Sequence, residues 1–136
     1  MSARNEAAEP SLYTRLGGYD VIAAVIGELF ALMRADARFA RFGARSTDSR
    51  KRSQQLTVEM TCAEAGGPCH YIGRDMKTSH SGLGITPAEW DACLELTRAA
   101  LHKHRVAERE EAEFLSLFER YRAEIVEAPS QQTAGA

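Results

Sequence analysis

Apolar residues recur along most of the chain at intervals of three and four, which is the period of an α-helix. The clearest run follows Gly17-Gly18 and extends to about Arg34, with Asp20 as the expected N-cap. Its apolar positions cover a wide arc: Ile22, Val25, Ile26, Leu29, Phe30, Leu32 and Met33. This helix is therefore predicted to be largely buried.

The same pattern predicts further helical pieces on both sides of that run. They cover 11–16 with Ser11 as cap, a short turn with Phe39 and Phe42, about Asp48–Ala65, Pro87 to about His104, and about Ala107–Glu127. Thr86-Pro87-Ala88-Glu89 reads as a capping box with proline at the first helical position. Strand-like alternation does not exceed chance, so the predicted fold is all-α. Residues 11–127 form one expected domain, with disordered tails at 1–10 and 128–136.

The central stretch Gly66–Thr86, GGPCHYIGRDMKTSHSGLGIT, interrupts this regular pattern. It has room for one short helical piece at Asp75–His80, which is marginal alone and needs support from outside. Met76 and His80 are four residues apart and share a face. A histidine on such a tethered segment suits binding of a metal or a haem iron, while the simpler interpretation is an ordinary loop histidine.

The composition narrows the function classes. The 136 residues are 44% hydrophobic and 26% charged with net charge −2, so electrostatics do not favour nucleic-acid binding. The longest apolar runs fall well short of the roughly 20 residues of a membrane span, and the N-terminus lacks a signal core, so a cytoplasmic location is expected. Cys62, Cys69 and Cys93 lack CxxC and CxxCH spacing. A disulfide framework and c-type haem attachment are therefore not expected, and the thiols should be reduced.

Three constellations could carry chemistry. His80 could ligate a haem iron, because that role needs a neutral imidazole nitrogen, an apolar slot and a nearby carbonyl for the other ring N–H. Cys62, Cys69, His70 and His80 have zinc-ligand types, but their spacing matches no common zinc pattern. Cys69-His70 as a nucleophile pair lacks a third, orienting group.

Two features of the helix at about Asp48–Ala65 admit two interpretations each. The basic run Arg50-Lys51-Arg52 is either a solvated helix end or a partner for an anionic group at the entrance of a site. The hydroxyl stripe of Ser53, Thr57 and Thr61 either faces water and its own backbone or supplies donors to a pocket.

The motifs SLYTRLGG, GGPCHYIGRDMK and TSHSGLGIT resemble those of the group I truncated haemoglobins, over roughly Ser11 to Val126. The resemblance implies a truncated globin-like two-over-two helical sandwich that holds haem b (iron protoporphyrin IX) and reversibly binds O2, CO or NO. Alternatives at the same iron are nitric oxide dioxygenation, peroxidase-like turnover with a reductase partner, and gas or redox sensing; a helical module without haem is a further one. No catalytic residue is assigned, and a monomer or weak dimer is expected.

The resemblance also implies roles for individual residues. His80 would be the proximal haem ligand; Met76, Ile85 and Trp90 would line the proximal pocket; and Phe42 would pack on the haem. On the distal side Phe30 stands where the family commonly has tyrosine, Thr57 where it often has glutamine, and Ser53 lies one turn earlier. Because Phe30 brings no hydrogen-bond donor, oxygen retention is expected to be weaker than in relatives with tyrosine and glutamine, unless a polar side chain of the same helix as Thr57 compensates. The candidates for that role are Ser53, Gln54, Thr57 and Thr61.

Overall fold

A computed structural model describes residues 9–42 and 47–127. Its helices are α1 (Leu12–Leu16), α2 (Tyr19–Ala35), a 3-10 helix (Ala37–Phe42), α3 (Thr47–Glu64), α4 (Met76–His80), α5 (Pro87–Lys103), α6 (Glu108–Glu119) and α7 (Arg122–Ile125). These ranges contain no strand, as the helical periodicity predicts. Of the two expected tails, residues 1–8 and 128–136 lie outside the described residues.

The first turns of the chain are set by a cap and two glycines. The Ser11 hydroxyl accepts the backbone N–H of Thr14 at 3.2 Å, and Gly17 ends α1 with a φ of +113°. A side chain at Gly17 would be strained by that φ and would meet Val21 at 2.7 Å. The expected cap of α2 was wrong by two residues. Gly18 is the N-cap, and Asp20 lies inside the first turn, where a carboxylate still favours the helix dipole.

Helix α2 is the centre of the core, as its wide apolar arc predicts. Ile22, Val25 and Ile26 are fully buried. The helix packs against α3 on one side and α5 on the other, while α6 covers α5. Two helix pairs thus pack across a common apolar interior. Phe114 and Phe118 of α6 are buried in it, with their ring centroids 5.4 Å apart.

The last predicted helix is divided, which corrects the prediction of one helix to Glu127. The break falls at Tyr121, whose φ of −96° and ψ of 2° lie outside the regular helix region. Glu64, at the end of α3, accepts hydrogen bonds from the Tyr121 hydroxyl at 2.6 Å and from Arg120. The bond to Glu64 raises the pKa of Tyr121 to about 12. The chain turns at this anchor, and α7 then packs against α4.

The expectation of reduced cysteines is wrong for two of them, because Cys62 and Cys69 form a disulfide. The turn at 66–68 reverses the chain and brings their Cα atoms to 5.8 Å, within the usual range for a disulfide. Neither sulfur is then a thiolate, so the zinc site loses two ligands and the Cys69-His70 pair loses its nucleophile.

Across the described helices, none is long and apolar enough to cross a membrane.

Candidate functional site

Helix α4 carries the candidate ligand, and its limits follow from the sequence. Asp75 caps it, because the Asp75 carboxylate accepts the backbone N–H of Thr78 at 2.9 Å. Hydrogen bonds from the Thr78 side chain and backbone lower the pKa of Asp75. Gly82 and Gly84 follow with φ values of +85° and +64°, which end the helix after five residues. A helix this short has little stability of its own.

The support that such a short helix needs comes from the end of the domain. The Glu127 carboxylate accepts the backbone N–H groups of Gly82 at 2.9 Å and Gly84 at 2.7 Å, and the Glu127 N–H donates to the Ile85 carbonyl at 2.9 Å. The two glycine N–H groups lower the pKa of Glu127, with His80 contributing a weaker electrostatic effect. Glu127 therefore holds the segment after α4 in place, and no sequence motif had marked it.

The ring of His80 is oriented by its own helix. Its Nδ1 lies 3.0 Å from the Met76 carbonyl and 3.0 Å from the Ser79 hydroxyl. A carbonyl oxygen can only accept, so Nδ1 must carry the hydrogen. In the neutral ring the lone pair is then on Nε2, the atom that a metal would take. The expected carbonyl partner is thus present, one helical turn before the histidine.

Arg41 links the 3-10 helix to Leu83 and Gly84, which follow α4. The sequence pattern did not predict this contact. The Arg41 guanidinium donates to the carbonyls of Leu83 and Gly84 at 2.9 and 3.0 Å and to both carboxylate oxygens of Glu89 at 2.6 and 2.9 Å. It also stacks on the Phe42 ring at 4.1 Å. Arg41 lowers the pKa of Glu89, which at the same time completes the capping box with Thr86. No motif predicts this clamp, because its partners are more than 40 residues away.

The residues expected on the proximal side border the core at different depths. Met76 and Ile85 are half-buried and pack against the core, and Trp90 is buried. The Trp90 indole N–H has no hydrogen-bond partner among the described residues, although an unpaired buried donor costs about 1–3 kcal/mol. Phe42 is half-buried, with its ring centroid 6.4 Å from that of Phe39.

The distal candidates differ in hydrogen-bonding capacity. Phe30 is half-buried at the edge of the core and has no polar atom. The Thr57 hydroxyl donates to the Ser53 carbonyl at 2.8 Å, so it is engaged by its own helix. The Thr61 hydroxyl, by contrast, is fully buried and has no partner in the described part of the chain. The hydroxyl stripe therefore follows the backbone interpretation at Thr57 but not at Thr61.

A cavity of about 410 Å³ separates α3 from the loop before α4; we call it the α3–loop cavity. It is lined by Ser49, Arg52, Ser53, Leu56, Ile72, Gly73 and Arg74. Ile72 is 77% exposed, unusually high for a large apolar side chain, and it shares the lining of this cavity with Arg52 and Arg74. Of the residues expected at the site, Ser53 lines this cavity, whereas His80, Phe30 and Phe42 are not part of its lining.

The basic run at the start of α3 is divided between two places. Arg52 lines the α3–loop cavity, and Arg50 and Lys51 line a second cavity of about 390 Å³ with Arg34, Gln54 and Gln55. Only Arg52 therefore stands where a basic side chain could pair with an anionic group at the mouth of the α3–loop cavity.

Residues 11–127 match the family model described as bacterial-like globin. The chain belongs to this globin family. Membership implies a haem cofactor and small gas ligands such as O2 for this globin.

Known relatives agree with this assignment. The globin is 36% identical over 85 residues to the Group 1 truncated hemoglobin GlbN of Mycolicibacterium paratuberculosis, which covers 62% of this chain and 61% of that relative. It is 31% identical over 91 residues to the Group 1 truncated hemoglobin of Tetrahymena pyriformis, covering 67% and 74%.

A solved structure confirms the fold. The crystal structure of the 2/2 hemoglobin from Synechococcus sp. superposes with a TM-score of 0.77 at 22% identity, covering 88% of this chain and 100% of that one. The predicted two-over-two helical sandwich is therefore confirmed.

The residues of this globin fit a haem. A haem presents an apolar ring with two carboxylates at one edge and needs one nitrogen ligand. The α3–loop cavity offers the apolar Leu56 and Ile72 to the ring and the basic Arg52 and Arg74 to the carboxylates, while His80 is not part of its lining. His80 lies on the helix that follows the same loop, and with its Nδ1 against the Met76 carbonyl the ligand atom would be Nε2.

Proposed function

We propose that this globin binds haem b through His80 and reversibly binds O2, with CO and NO as related ligands. The observation that carries the proposal is the 3.0 Å contact between His80 Nδ1 and the Met76 carbonyl. It selects the ligand tautomer and fixes the ring direction with a group of the same helix. When bound, the haem iron supplies one position for the imidazole and one for a diatomic gas.

The proximal support is a set of contacts that restrict α4. Asp75 caps the start, Glu127 holds the glycines after the end, and Arg41 holds the Leu83 and Gly84 carbonyls. A ligand on such a braced helix keeps its geometry, since each contact removes freedom from the segment. These residues therefore serve as positioning residues for His80.

The distal residues favour weak retention of O2. Phe30 offers no donor, and the Thr57 hydroxyl is engaged by the Ser53 carbonyl. A hydrogen bond to a partly charged ligand in a low-dielectric pocket is worth more than the roughly 1 kcal/mol of a neutral pair. Without such a bond, O2 should leave quickly, which suits delivery or sensing better than storage.

Haem titration of His80→Ala tests the ligand assignment, with His70→Ala as the matched control. His70 lies in the same central stretch and is exposed. We expect the parent and His70→Ala to bind haem with a strong Soret band, and His80→Ala to lose stable binding.

Added imidazole should restore the band in His80→Ala, because the free ring can occupy the space of the missing side chain; this also separates loss of the ligand from loss of the fold. Unchanged haem affinity and spectrum in His80→Ala would reject His80 as the ligand.

A further inference from the structure

The Cys62–Cys69 disulfide joins two parts of the candidate site, the end of α3 and the start of the loop before α4. Cys62 is fully buried in the last turn of α3, and Cys69 is half-buried at the start of the loop that leads to α4. That loop supplies Ile72, Gly73 and Arg74 to the α3–loop cavity. The bond therefore fastens one wall of the cavity to the helix that forms the other wall.

The turn between the cysteines does not depend on the disulfide. The Gly67 N–H donates to the Cys62 carbonyl at 2.8 Å, and the Tyr13 N–H donates to the Ala65 carbonyl at 2.8 Å. Gly67 packs so closely that a Cβ would meet the Tyr13 ring at 2.3 Å and Cys62 Sγ at 2.7 Å. These contacts hold the turn as far as Gly67, whereas no backbone hydrogen bond between described residues attaches Cys69 itself or the loop 70–74.

The loop beyond Cys69 has few other attachments. Within residues 70–74, the side-chain hydrogen bond found in the described chain is the local one from the Tyr71 hydroxyl to the Arg74 carbonyl. Ile72 is largely exposed and so contributes little packing, while Tyr71 is half-buried and packs against the core. The disulfide at one end, the packing of Tyr71, and the Asp75 cap at the other end are therefore the main restraints on this wall.

We propose that Cys62–Cys69 is a redox-active modification site, at which a dithiol reductant opens the disulfide, loosens the loop wall and speeds the release of haem. The effect on haem rests on the proposed function above. The chemistry of the cysteine pair does not, so the two can fail separately.

The exchange has a defined direction. A reductant thiolate attacks Cys69 Sγ, since Cys69 is half-exposed and Cys62 is buried. The Sγ–Sγ bond breaks, and the Cys62 sulfur leaves and takes up a proton. The second thiol of the reductant then attacks its own sulfur in the mixed disulfide and releases Cys69. Two electrons and two protons pass from the dithiol, which becomes a disulfide, to the cysteine pair.

The third cysteine is an internal control. Cys93 is a free thiol on α5, and burial raises its pKa to about 11. It therefore stays protonated near neutral pH and reacts slowly with thiol reagents. Cys93→Ser should leave the redox response unchanged.

The experiment uses the full chain loaded with haem and poised in oxidised or reduced dithiothreitol. Intact mass after alkylation should show two additional reactive thiols on reduction. Haem transfer to excess apomyoglobin should be faster in the reduced protein by about fivefold, the scale of a modest change in free energy. The double variant Cys62→Ser, Cys69→Ser should match the reduced parent in both buffers.

Hydrogen exchange of the amides of residues 70–74 supplies a readout that needs no haem. Faster exchange in these residues on reduction supports the proposal even if the protein takes up no haem, in which case the proposed function fails instead. Free Cys62 and Cys69 in the oxidised sample, or equal loop exchange and equal haem transfer in both redox states, would overturn the proposal.

Discussion

Two buried threonines allow the cost of an unpaired hydroxyl to be measured inside one protein. Thr61 on α3 and Thr97 on α5 are both fully buried. The Thr97 hydroxyl donates to the Cys93 carbonyl at 2.7 Å, while the Thr61 hydroxyl has no partner among the described residues. Thr→Val removes the hydroxyl and keeps nearly the same shape, so the two variants differ mainly in the hydrogen bond that is lost.

The two substitutions should change the free energy of unfolding differently. Burying a hydroxyl without a partner costs about 1–3 kcal/mol, so Thr61→Val should raise the free energy of unfolding by about 1–2 kcal/mol. Thr97→Val loses a hydrogen bond worth about 0.5–1.5 kcal/mol, partly offset by the new buried methyl group, and should be neutral or destabilising by about 1 kcal/mol.

Urea unfolding of the haem-free and haem-loaded proteins, followed by circular dichroism, measures both effects. The midpoint should rise for Thr61→Val and stay or fall for Thr97→Val, with unchanged slopes. If Thr61→Val loses as much stability as Thr97→Val in the haem-free protein, the Thr61 hydroxyl has a partner in solution and the reasoning fails. A loss confined to the haem-loaded protein would instead place that hydroxyl against the bound ligand.

Three other predictions concern Arg41 and Glu127, which hold the residues after α4, and Phe30 on the expected distal side. Arg41→Lys keeps the charge but cannot form the bidentate contact with Glu89, so the free energy of unfolding from thermal denaturation should fall by about 1 kcal/mol. Arg41→Ala should lower it by only slightly more. Glu127→Gln weakens the bond to the Gly82 N–H and should speed haem transfer to apomyoglobin several-fold near neutral pH, and the difference between parent and variant should disappear in acid. Equal rates for parent and variant near neutral pH would reject this role of Glu127. The sign follows because the folded-state pKa of Glu127 lies below its ordinary 4.5, so its contribution is present above that pH and is lost as pH falls through the folded pKa. Phe30→Tyr should slow oxygen release in stopped-flow measurements, and rates equal to those of the parent would show that Phe30 does not face the ligand.

The parts of the site that local sequence determines were predictable. Asp75 caps α4, Thr86 and Glu89 form the capping box of α5, and Met76 stands one turn before His80. Each of these features depends on residues within four positions of one another, so a helical pattern and its caps are sufficient to locate it.

The parts that join distant segments were not predictable from the pattern. Glu127 reaches Gly82 across 45 positions, and Arg41 reaches Leu83 across 42. An isolated arginine or glutamate is usually solvated, so nothing in its neighbours marks it as a brace. The break at Tyr121 was missed for the same reason, because its partner Glu64 lies on another helix.

Spacing and local composition were enough to predict that the chain is helical, which faces of the helices are buried, and which histidine lies on a short segment between glycines. These follow from spacing along the chain and from local hydrogen bonds. The folded chain shows what holds that segment, which buried hydroxyl has no partner among the described residues, and that Cys62 and Cys69 are joined. Such contacts depend on how the chain returns on itself, and the free energy that selects them comes from the packing of the whole core.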